Sequence, residues 1–142
     1  SPSRRGIGEI LQVRTMAIDR LVHWFKLPAN LQECAPEIQG VRMVQFGVIE
    51  LTVNEELTAA KMADNSSHAV AMRTVMLAVR YARTADRATV VELSLADESA
   101  ELFWAKLNPK VRALLMQAHI KVNTATQADS EDFLKSCEVS VG

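Results

Sequence analysis

At 142 residues, nearly half of them apolar, the chain is long enough to bury a core of its own and reads most simply as one folding unit. Sixteen Lys and Arg stand against seventeen Asp and Glu, a formal charge of −1, which excludes the strong basic excess of a dedicated nucleic-acid binder. Cys34 and Cys137 form no CxxC pair and have no histidine cluster beside them, and no run reaches the roughly 18 to 20 apolar residues that cross a bilayer, so disulfide scaffold, zinc site and membrane span are all unexpected. The opening Ser-Pro-Ser-Arg-Arg-Gly has no apolar signal core, and a soluble protein of a reducing, cytoplasmic compartment is expected.

The charge is nonetheless uneven. Residues 1–26 carry Arg4, Arg5, Arg14, Arg20 and Lys26 against Glu9 and Asp19, whereas the last stretch carries Asp129, Glu131, Asp132 and Glu138 against Lys135. Such a basic head and acidic tail can attract each other within one chain or between copies, or simply be two solvated surfaces.

Taken in order, Ile7 to Lys26 reads as an amphipathic helix with Ile10, Leu11, Ile18, Leu21, Val22 and Phe25 on its apolar side, ended by Pro28. Residues 1–30 are accordingly set apart as an N-terminal helix, free for a partner or docked on a helical core domain of residues 31–142. Pro28, Asn30, Pro36 and Gly40 mark a connector with one helical turn around Leu31 to Cys34. Val41 to Val53 turns to strand, as its β-branched alternation requires, with Gly47 at a bend or bulge. Asn54 then caps a helix whose first turn holds Glu55 and Glu56, where the helix dipole favours acids, and which runs to about Ala63.

Asn65 to Thr84 is the longest apolar run and the expected central helix, with Ala69, Met72, Met76 and Val79 recurring at helical spacing and Met72 and Met76 among its buried side chains. Its polar remainder is an edge of Arg73, Arg80 and Arg83, with Arg87 beyond, either an ordinary solvated edge or one able to bind an anion or an acidic partner. Thr89 to Leu95 is a short strand. Two helices follow, Asp97 to Leu107 and Pro109 to Ile120, split at Asn108-Pro109, a cap followed by a first-turn proline. Residues 121–128 read as loop or weak strand, and Asp129 or Ser130 opens a last short helix through Phe133 and Leu134.

The chemical inventory is sparse. His23, His68 and His119 lie in separate segments without ligand spacing, Ser67 beside His68 is no dyad, and Gly6-Ile7-Gly8 lacks the strand and third glycine of a nucleotide fingerprint. The pairs Glu55/Glu56, Asp97/Glu98 and Glu131/Asp132 sit where helix first turns favour acids rather than as a general acid and base. The Asn108-Pro109 elbow has the outline of a helix-turn-helix, but its second helix offers only Lys110, Arg112 and Lys121 amid apolar residues. No catalytic residue, cofactor or metal is expected, and no nucleic acid or membrane.

From Gly47-Val48-Ile49-Glu50-Leu51-Thr52-Val53 into Glu55-Glu56-Leu57, through Trp104-Ala105-Lys106-Leu107-Asn108-Pro109-Lys110-Val111-Arg112, to Asp132-Phe133-Leu134-Lys135-Ser136, the chain resembles the tail assembly chaperones of tailed bacteriophages. The resemblance covers residues 41–142. It implies a small, non-enzymatic, helical protein of the bacterial host cytoplasm that keeps the tape-measure protein soluble and recruits tail-tube subunits. The expected fold is therefore mainly α, a compact helical domain with one or two short β elements. The alternative is a small α/β sheet domain, an enzyme of unspecified reaction with parallel strands at Val41 to Val53, Thr89 to Leu95 and Ile120 to Thr124. A third reading is a permanent structural subunit of a virion-like assembly. The partner-binding residues expected of a chaperone are Trp104, Phe133, Leu134, Arg73 and Arg80, with self-association left open.

Overall fold

A computed structural model describes residues 20–62, 66–93 and 98–141. Strand β1 (Val22–Lys26) leads through a 3-10 turn (Ala29–Cys34) into the short hairpin β2 (Glu37–Ile38) and β3 (Val41–Arg42), then β4 (Gln45–Ile49). Helices α1 (Val53–Met62) and α2 (Ser67–Ala78) precede β5 (Val79–Arg83) and β6 (Val90–Glu92), and α3 (Glu98–Ala105), α4 (Pro109–Asn123) and α5 (Gln127–Lys135) complete the described chain. Four strands form one sheet in the order β1-β4-β5-β6, and every pairing is antiparallel.

This mixed architecture overturns the mainly α expectation, and two segments account for most of the difference. Val22–Lys26, read as the end of the first helix, is an edge strand paired with β4 from Val22 opposite Ile49 to Lys26 opposite Gln45. The central helix stops at Ala78, and Val79–Arg83 crosses the sheet between β4 and β6. Both are five-residue stretches at the end of a longer helix-like apolar pattern, too short for periodicity alone to separate strand from helix; pairing partners elsewhere in the chain decide. The rest of the expected first helix, through residue 19, lies outside the described residues, as do residues 63–65, 94–97 and 142. The alternative of a small α/β sheet domain agrees with the mixed content, but its parallel strands do not: the pairings are antiparallel, and Ile120 to Asn123 is the last turn of α4.

One sheet face carries the core. Phe46 and Val48 of β4 and Ala82 of β5 pack with Val75 and Ala78 of α2, Phe103 of α3, and Val111 and Leu115 of α4, all at most 3% exposed. The Phe46 and Phe103 rings lie 6.2 Å apart. Met72 and Met76 are only half-buried; Val75, between them, is the residue that points inward.

On the opposite face Trp24, Gly47 and Tyr81 form a row across β1, β4 and β5. A Cβ on Gly47 would lie 2.6 Å from Cγ1 of Val22 and 3.2 Å from both Trp24 and Tyr81, so only glycine fits beneath these side chains. The β4–β5 register shifts between Gly47 and Val48, the irregularity expected of that glycine. The Arg83 guanidinium lies 3.8 Å above the Trp24 ring and its Nε donates to Oε1 of Gln45 at 2.7 Å, which holds the buried amide of Gln45 in place.

Local chemistry sets several boundaries. Thr52 and Glu55 cap α1 reciprocally: the Glu55 N–H donates to Thr52 Oγ1 at 3.2 Å, and the Thr52 N–H donates to Glu55 Oε1 at 2.9 Å. The cap is thus Thr52 rather than Asn54. Asn108 caps α4 ahead of Pro109 as expected, its Oδ1 accepting from the Lys110 N–H at 2.8 Å. Gln39 and Gly40, with φ of 52° and 79°, make the two-residue turn between β2 and β3.

Candidate protein-binding surface

Helix α5 begins with a capping box in which Thr126 Oγ1 accepts from the Asp129 N–H at 3.1 Å and Asp129 Oδ2 accepts from the Thr126 N–H at 3.2 Å. The expected start at Asp129 or Ser130 therefore moves back to Gln127, because Asp129 is the third helical residue rather than the cap. Gln127 Nε2 donates to Glu131 Oε1 at 3.2 Å one turn on, and Ser136 closes the helix with its Oγ donating to the Phe133 carbonyl at 2.6 Å. Local bonds supply the order of this helix. Every residue from Thr124 to Val141 is exposed, and Phe133 and Leu134 are 76% and 71% accessible. Two bulky apolar side chains displayed together on a formed helix, flanked by Asp129, Glu131 and Asp132, have the composition of a recognition element with an apolar centre and an acidic rim.

Trp104 is placed differently. It sits on α3 half-buried, its ring 5.0 Å from that of Phe103 at 89°, and packs against the core. Phe103 takes the inward position at 3% exposure. The indole Nε1 of Trp104 is buried and has no hydrogen-bond partner among the described residues. A groove of about 790 Å³ runs past this elbow, bounded by the β2–β3 hairpin and lined by Glu33, Glu37, Arg42, Leu102 and Lys106 among others. Leu102 is 54% exposed.

The expected arginine edge does not form, because Arg73 is on α2 while Arg80 and Arg83 are on β5. Arg73 is half-buried. Arg80 approaches Oε2 of Glu55 at 3.9 Å, the oxygen that also accepts from Arg20 Nη1 at 2.9 Å. Burial works to raise the Glu55 pKa, but the hydrogen bonds from Arg20 and Thr52 outweigh it and hold the carboxyl below the ordinary glutamate range. Glu55 is thereby a junction between α1, β5 and the start of β1, a structural use of a first-turn acid.

The histidines remain apart: His23 on β1, His68 exposed in the first turn of α2, and His119 on α4. Burial lowers the His119 pKa while Glu56 pulls it the other way, the net direction being down. Among the described residues no group of three His, Cys, Asp or Glu side chains is arranged to hold a metal ion, and no helix is long and apolar enough to cross a membrane.

The sequence reading missed Asn123. Its Oδ1 accepts from the Leu51 N–H at 2.7 Å and its Nδ2 donates to the Ile49 carbonyl at 3.1 Å, so one amide side chain ties the end of α4 to the exit of β4. The same Nδ2 lies 3.0 Å from Nδ1 of His119. Compared with known proteins, the chain matches no family model, no curated protein and no solved structure.

Proposed function

We propose that the protein is a non-enzymatic assembly chaperone or adaptor of the kind found in tailed bacteriophages, acting through protein contacts made by α5. The observation that carries this reading is the pair Phe133 and Leu134, largely exposed on a capped helix that buries none of its own residues. A chaperone must cover apolar helix surface on its client and later release it, which calls for a small apolar centre interrupted by charge rather than a wide dry interface. Asp129, Glu131 and Asp132 would steer basic clients towards that centre. Tape-measure and tail-tube proteins are the clients the family resemblance suggests, in a bacterial cytoplasm. Trp104 contributes as the half-buried support of the α3–α4 elbow, and Arg73 and Arg80 have a lesser place, Arg80 being engaged with Glu55.

The test is co-purification of the chain with candidate tape-measure and tail-tube proteins. Phe133→Ser with Leu134→Ser should abolish capture while leaving thermal unfolding unchanged, since neither side chain is buried. Capture that survives this double change would refute the reading, and retention of the chain in finished particles would favour a permanent structural subunit instead.

A further inference from the structure

The pocket between β1 and α4 complements α5 in polarity and charge. It encloses about 330 Å³ and is floored by Phe46 and Leu115, each no more than 2% exposed, and Ala118, with Phe25 and Leu114 on its walls. Lys26 and Lys121 stand exposed at its rim, and among the described residues no carboxylate lines it. An apolar hollow with two ammonium groups at its mouth suits a bulky apolar side chain carried beside acids. Helix α5 offers that arrangement. Asp129 lies one turn before Phe133, and Glu131 one turn before Leu134, on the same sides of the helix.

We infer that the protein self-associates by reciprocal exchange, Phe133 and Leu134 of each copy entering the β1–α4 pocket of the other while Lys26 and Lys121 meet the carboxylates of the incoming α5. The occupant is a second copy because both halves of the match are on this chain and, among the described residues, they are not closed on each other. Only Thr124 to Thr126 separate α4 from α5, and α5 stands exposed. The two patches are also close in sequence, Lys121 preceding Gln127 by one short connection. Reciprocity matters energetically: one face of a nine-residue helix is small against the roughly 1,600 Å² of a standard interface, and a two-fold arrangement uses it twice. An intermediate, concentration-dependent dimer sensitive to salt is expected.

This inference rests on reading α5 as a binding arm, but on no particular client. Sedimentation velocity of the full chain from about 1 to about 100 μM, the range over which a small interface dissociates, should show monomer giving way to dimer. Phe133→Ser/Leu134→Ser should leave monomer throughout, and so should Lys26→Glu/Lys121→Glu, each with unchanged circular dichroism. Adding Glu131→Lys to the reversed pocket should restore part of the dimer by exchanging one pair of signs, Asp129 being kept for the capping box of α5. A chain monomeric at all concentrations, a dimer indifferent to both sets, open-ended polymers, or failure of the restored variant to dimerise would each overturn the inference. A monomer that still captures tape-measure or tail-tube protein would overturn self-association alone, whereas a dimer that captures neither would overturn the chaperone reading alone.

Discussion

Replacing Asn123 by alanine removes the clamp between α4 and β4 without opening a cavity, because the lost amide is small and half-buried. Two hydrogen bonds to the main chain disappear, one donated by the Leu51 N–H and one accepted by the Ile49 carbonyl, at a net contribution of about 1 kcal/mol each. Ile49 is 2% exposed, so little water can reach its carbonyl, and the unmet acceptor adds up to about 1 kcal/mol. Alanine returns about 0.5 kcal/mol through its better helix propensity. The expected loss is therefore about 2 kcal/mol, or roughly 5–10 °C in Tm for a chain of this size. Urea unfolding followed by tryptophan fluorescence gives the free energy, and Asn123→Asp separates the two bonds. Aspartate keeps an acceptor for the Leu51 N–H but sets a carboxylate against the Ile49 carbonyl, so it should be less stable than alanine at neutral pH and recover part of the difference as His119 protonates beside it. Both variants within about 0.5 kcal/mol of the parent would refute the clamp, since surface substitutions commonly fall in that range.

Gly47→Ala should destabilise by about 1–3 kcal/mol, because its methyl would overlap Val22 and press on Trp24 and Tyr81; a neutral result in the same unfolding assay would mean β1 can move away without cost. Stability should fall as pH drops through about 6.5, the unfolded histidine value, towards the lower folded pKa of His119, because the unfolded chain binds the proton more readily. His119→Gln should flatten that slope, and an unchanged slope would assign it elsewhere. Thr126→Ala should weaken helicity over Gln127–Lys135, read from amide exchange, by the roughly 1 kcal/mol of a lost cap, yet leave global unfolding within about 0.5 kcal/mol. A parallel fall in Tm would show that α5 stabilises the body.

What was legible in the sequence was mostly local chemistry. Asn108-Pro109 announces a helix start because capping acceptor and fixed φ are properties of adjacent residues, and Glu55 and Glu56 mark the first turn of α1 for the same reason. Thr52 and Thr126 carried equally local boxes, but each had a competing polar residue two or three positions later that could also cap. Gly47 was readable as an irregularity, though not as the floor beneath Trp24 and Tyr81, which come from strands on either side. The helix-to-strand changes at Val22–Lys26 and Val79–Arg83 depend on pairing with β4, and the Asn123 clamp joins residues 72 and 74 positions apart. Such contacts have no signature within any short window. The arginine edge failed on the same ground: a seven-residue spacing aligns Arg73 and Arg80 only while both remain on one helix.

The placement of α5 follows from the same division between local and distant causes. A nine-residue helix without packing would ordinarily be marginal, because fixing its first turn orders several residues for one hydrogen bond. Here the Thr126–Asp129 box, the Gln127–Glu131 contact and the Ser136 closure satisfy terminal groups that a bare helix leaves open. These bonds use the backbone and polar side chains and leave Phe133 and Leu134 unengaged. The apolar pair is thus held at a fixed angular separation before any partner arrives, and burying it on contact need not also meet the full cost of forming the helix. A segment ordered by its own polar groups, with its two largest apolar side chains outside the core, separates the exposed surface of the tail from the stability of the body; the core of Phe46, Phe103 and Leu115 does not depend on whether that surface is covered.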